Sequence, residues 1–117
     1  MEVALIQPIQ YAVKYAQNHK VWVVVLVPPK NLVSVRGILI GIVAGKCQGR
    51  TALLSGGGKI SVITPDTSID IPEGYYSIRV GWGVSTPVED TAIKKWEASA
   101  IKILSAFKND FDTRSSD

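Results

Sequence analysis

Residues Val33–Ala44 read VSVRGILIGIVA, and the period assigned to this run decides the fold. β-Branched residues dominate it, which favours an extended chain. As a strand, Val33, Val35, Gly37, Leu39, Gly41 and Val43 share one face. Ser34, Arg36, Ile38, Ile40, Ile42 and Ala44 share the other. Two glycines on one face, four residues apart, would then mark a bend or a close backbone approach, as a tightly curved small sheet requires. The run is therefore expected to be a strand.

Working outward, Val21–Val27 (VWVVVLV) is short, apolar at every position and stopped by Pro28 and Pro29. It fits a central strand covered on both faces. Before it, Glu2–Ile6 suits a short strand, and Ile9, Ala12, Val13 and Ala16 recur at helical spacing with Pro8 at the first turn. That predicts a helix over Pro8–His19, flanked by Tyr11 and Tyr15. After Ala44, the turn GKCQGR leads to a short strand at Thr51–Leu54, and KISVIT (Lys59–Thr64) and YYSIRVGW (Tyr75–Trp82) alternate as strands. In the last of these, Tyr75, Ser77 and Arg79 face one way and Tyr76, Ile78, Val80 and Trp82 the other. Thr86-Pro87-Val88-Glu89 is a capping box with proline at the first helical position. Ile93, Trp96, Ala100, Ile103 and Phe107 continue at spacings of three and four, so a helix is expected from Pro87 to about Lys108.

Short connections between the middle strands favour hairpins over parallel crossovers. The expected fold is α+β: a curved, mainly antiparallel sheet approaching a barrel, covered by an N-terminal helix and a long C-terminal helix. Residues 1–109 form one domain and residues 110–117 a polar tail.

The chain has 117 residues, 46% of them hydrophobic and 20% charged, an ordinary globular balance. One cysteine, Cys47, excludes an internal disulfide framework and a cysteine-based zinc cluster. It fits a reducing compartment, and the expected location is the cytoplasm. The N-terminus lacks a basic region followed by a long apolar run, so no secretory signal is expected. No apolar run reaches the roughly 20 residues of a membrane helix, so no membrane insertion is expected.

Catalysis finds little support. His19 is the only histidine. It stands at a helix end, with no nucleophile set against it. Asp66, Asp70 and Glu73 share one loop, where turn capping explains them, and the oxygen-ligand spacing of a calcium loop is missing. The run LLSGGGKISV (Leu53–Val62) resembles a phosphate loop only superficially. Ile60 stands where a hydroxyl residue is needed, and a strand follows where a helix should begin. The three glycines are expected to turn the chain between strands. Neither enzymatic activity nor a cofactor is expected.

Charge is the most informative feature. From Val3 to Pro65 there is no acid and there are seven bases: Lys14, Lys20, Lys30, Arg36, Lys46, Arg50 and Lys59. From Asp66 onward nine acids face six bases. If the basic turns meet at one end of the sheet, they form a positive rim that attracts phosphate. The leading expectation is a non-catalytic nucleic-acid-binding protein, contacting the backbone of DNA or RNA through Lys30, Arg36, Lys46, Arg50 and Lys59. Tyr75 would add a stacking surface and Arg79 a phosphate grip. The alternative is a protein-interaction or structural assembly module that buries an apolar sheet face in a homo-oligomer.

Overall fold

The computed structural model describes residues 3–43, 47–48, 51–66, 74–83 and 85–104. The chain runs through α1 (Val3–His19), β1 (Trp22–Leu26), α2 (Leu32–Val43), β2 (Cys47–Gln48), β3 (Thr51–Leu53), β4 (Lys59–Ile63), β5 (Tyr75–Arg79), α3 (Pro87–Ser99) and β6 (Ile103–Leu104). The strands form one six-stranded sheet in the order β2-β3-β4-β1-β5-β6.

The expected antiparallel, barrel-like sheet is overturned. β1 pairs in parallel with both β4 and β5, and β5 with β6. Only β2–β3 and β3–β4 are antiparallel. β2 and β6 are free edges, so the sheet is open. The cause lies in VSVRGILIGIVA. A parallel neighbour for β1 requires a crossover, and this segment supplies it as α2 rather than as a strand. Its inward side is helical in period: Val35 and Leu39, one turn apart, are buried, with Leu32, Ile38 and Val43 packed beside them. Tertiary packing has overridden β-propensity.

Two further boundaries move. α1 begins at Val3, so Glu2–Ile6 is no strand and Pro8 lies within the helix. Having no N–H, Pro8 cannot make the intrahelical bond to the Ala4 carbonyl, a loss that the packing of α1 on the core must offset. α3 stops at Ser99, not near Lys108, because Ala100 turns extended (φ −78°, ψ 149°) and leads into β6. Ile103, expected on the helix stripe, is exposed on this edge strand. Phe107 and the tail at 110–117 lie outside the described residues.

β1 sits at the centre, as its unbroken apolar run implies. Val23 and Val25 face α1 and α2, joining Leu5, Ile9, Ala12, Val13, Ala16, Val35 and Leu39 in the larger core. Val24 and Leu26 face α3, joining Ile63, Tyr75, Ile93 and Trp96. Burying a side chain such as Ile93 contributes about 1.5–3 kcal/mol. α3 also keeps its expected capping box, with the Thr86 hydroxyl accepting from the Glu89 amide at 3.2 Å and the Glu89 carboxylate accepting from the Thr86 amide at 2.8 Å.

The glycine run is structural at all three positions. Gly56 and Gly57 have φ of 88° and 106°, left-handed conformations that favour glycine. Gly58 passes α1 so closely that a methyl group there would lie 2.3 Å from the Ala16 carbonyl oxygen. The three residues turn the chain from β3 into β4.

Candidate functional site

The chain leaves β1 toward α2 on one face of the sheet and leaves β5 toward α3 on the other. Where successive crossovers part in this way, a crevice opens beyond the carboxyl ends of the strands. A cleft of about 150 Å³ lies there, lined by Pro29, Pro65, Asp66, Trp82, Val88, Glu89 and Ala92. Its walls are fixed. The Trp82 indole donates to the Leu26 carbonyl at 2.8 Å, and the Trp96 indole to the Pro65 carbonyl at 2.9 Å. Asn31 donates to the carbonyl of Gly81 at 3.0 Å, and φ of 80° at Gly81 turns the chain from β5 into the Trp82 wall. Glu89 is held by its bond to the Thr86 amide.

Of the seven nominated residues, the five that are described do not gather in one place. Lys46 and Arg50 lie outside the described residues. Lys30 follows the carboxyl end of β1, whereas Lys59 opens β4 opposite Trp22. These are opposite ends of the sheet, roughly 16 Å apart along the strands. Lys59 rests over the Trp22 ring, its Nζ 5.4 Å from the centroid. Arg36 is on the exposed side of α2. Arg79 is exposed but already paired. Its Nε and Nη2 donate to the two carboxylate oxygens of Glu97 at 2.8 and 2.9 Å, and Asp90 lies 3.4 Å away. The Glu97 hydrogen bond raises its already high pKa further. Tyr75, expected at the surface, is fully buried and is corrected to a core residue. Its hydroxyl donates to the Trp96 carbonyl, and its ring meets Trp96 edge-on at 6.0 Å. α3 covers the sheet face it shares with Ser77 and Arg79.

Two other features were not nominated as sites from the sequence. The first is the outer side of α2. At 100° per residue, Val33, Gly37, Ile40 and Gly41 point away from Val35 and Leu39. Val33 is 83% exposed and Ile40 48%. Among the described residues, nothing lies within 4 Å of where a side chain would start at Gly37 or Gly41, and neither has a positive φ. Unlike the glycines of the β3–β4 turn, these two answer no need of the fold around them.

The second is a stripe on α1. Tyr11, Tyr15 and His19 follow one another turn by turn, with ring centroids 6.1 and 4.1 Å apart, and Tyr76 of β5 stands 5.5 Å from Tyr15. Desolvation, reinforced by Tyr76, raises the Tyr15 pKa. The four-residue spacing was visible in sequence. Its meeting with Tyr76, one position from the nominated Tyr75, was not.

Among the described residues, no group of three or more His, Cys, Asp or Glu could hold a metal ion. Among the described residues, no helix is long and apolar enough to cross a membrane. Comparison with protein-family models, curated proteins and solved structures finds no match, so function must be argued from the geometry of this chain.

Proposed function

We propose that the chain is a non-catalytic assembly module whose interface is the outer side of α2. The carrying observation is the pair Gly37 and Gly41 between exposed Val33 and Ile40. Apart from Ser34 and Arg36 every residue of α2 is apolar or glycine, as suits an interior helix, yet among the described residues only one side of it is buried. Each glycine destabilises a helix by about 1 kcal/mol relative to alanine. Two on an outward face make sense where another backbone comes close. A second copy fits, since an isologous contact brings the same flat strip against itself between ridges of Val33 and Ile40. The apolar surface sought on the sheet thus lies on a helix, because helices cover both sheet faces. A lone cysteine suits the cytoplasm as its location.

Sedimentation velocity over a wide concentration range tests this. The native chain should exceed the monomer mass at micromolar concentration. Ile40→Lys, at an exposed position, should remain folded and sediment as a monomer. A native chain that stays monomeric at high micromolar concentration overturns the proposal, as does a variant with unchanged mass.

Nucleic-acid binding is the second reading, favoured by one observation. The layer of α1 and α2 carries Lys14, Lys20 and Arg36 without an acid among its described residues, and it bears the Tyr11–Tyr15–His19 stripe beside Tyr76. Aromatic rings among cations suit single-stranded nucleic acid. Anisotropy titrations with labelled single- and double-stranded oligonucleotides at two salt concentrations test it. Replacing Lys14, Lys20 and Arg36 with alanine should weaken binding to all sequences and flatten the salt dependence by about one unit of slope per lost phosphate contact. Equal affinity in the triple variant would remove this layer from consideration.

A further inference from the structure

The cleft beyond the strand ends is a different surface from α2, and its chemistry is specific. Trp82, Pro29, Pro65, Val88 and Ala92 make it mostly apolar, and the acidic residues Asp66 and Glu89 are among those that line it. Among the described residues, neither carboxylate is paired with a cation: the ion pairs of this region join Arg79 and Lys94 to Asp90 and Glu97. Ligand sites at such switch points commonly receive phosphate at a helix amino terminus. Here Glu89 and Asp90 already fill the first turn of α3. Together with Asp66 they make an anion unwelcome.

We propose that this cleft binds a small free organic cation with a short aliphatic stem, of the alkylammonium class. The stem would lie against the prolines and Val88. The cationic head would meet Asp66 and Glu89, and Trp82 on the same lining supplies a ring of the kind that attracts cations. Size agrees: a protein cavity of about 150 Å³ accommodates a molecule as large as benzene, and butylammonium has fewer heavy atoms. Preorganisation agrees as well, since the bonds to Leu26, Pro65 and Gly81 hold the walls before any ligand arrives.

The test is a nuclear magnetic resonance titration of the full chain, following the Trp82 indole proton, which is assigned by its loss in Trp82→Phe. The probes are n-butylammonium, n-butanol and butyrate. Butylammonium should shift this resonance saturably and bind at least tenfold more tightly than butanol, with butyrate weakest. The double substitution Asp66→Asn and Glu89→Gln should reduce butylammonium to the affinity of butanol. Glutamine at 89 still completes the capping box, so the variant should fold. Butanol matching butylammonium would make the cleft a plain apolar hole. Tighter binding of butyrate would make it an anion site. No shift with any probe would leave no site at all. Each of these results overturns the proposal.

Discussion

At the scale of single residues, three side chains carry opposite expectations. Gly58 runs within contact of α1 at Ala16, so Gly58→Ala should destabilise by about 1–3 kcal/mol, as overpacking does. Its backbone, at φ −71° and ψ 155°, is open to any residue, so crowding alone would cause the loss. Ser77 is the reverse case. Its hydroxyl is buried with no hydrogen-bond partner. Ser77→Ala should leave stability unchanged or raise it by up to about 1 kcal/mol, since an unmet polar group carries a desolvation penalty. Urea denaturation checks both. Tyr75 makes the stability depend on alkaline pH. Burial raises its pKa, partly offset by a hydrogen bond from Ser99, so the folded state favours the neutral phenol. A raised folded pKa means that stability is fully present below the unfolded value of about 10 and is lost as pH rises beyond it. Denaturation at neutral pH and above pH ~10 should show that loss, smaller in Tyr75→Phe, with the loss from Tyr15 remaining.

At the scale of elements, α2 and α3 contrast. α3 is legible from its capping box, and the structure keeps that start because Thr86 and Glu89 satisfy the first orphaned amides. Its end was not legible. Ala100 and Ile103 continue the apolar spacing, but residues 103–104 gain more by pairing with β5. α2 was misread whole, since Val and Ile are compatible with either state and the deciding partners, α1 and β4, are more than ten residues away in sequence. β1 itself was legible because an unbroken apolar run has one natural place, the middle of a covered sheet. For the candidate site, the sequence offered Gly37 and Gly41 as marks of a bend or a close backbone approach, and the proposed α2 interface would supply that approach. Trp82 was read only as part of a strand face, because strand ends converge on a cleft only once parallel pairing is known. Gly37→Ala separates the two roles of this position. On an exposed helix with open space around it, the change should stabilise the monomer by about 1 kcal/mol. The added methyl should at the same time weaken self-association, read by thermal unfolding beside sedimentation.

At the scale of the whole molecule, the open sheet divides the charge. The layer of α1 and α2 is free of acids among its described residues, while Glu89, Asp90 and Glu97 all stand on α3 with Arg79 drawn to them. Two faces of different character result: that of α1 and α2 carries bases without acids among its described residues, and that of α3 is knit together by its own ion pairs. Pairing through α2 would leave the cleft open in each copy, because α2 and α3 lie on opposite faces. The most direct measurement of that pairing is the distance between two copies across α2, by double electron–electron resonance on a spin label at Ser34→Cys in a Cys47→Ser background. Helices that touch lie with axes about 8–10 Å apart, so the labels should give one short, narrow distance distribution that vanishes on adding Ile40→Lys. A dimer of proven mass with only long or broad distances would contradict the assignment of the interface to α2.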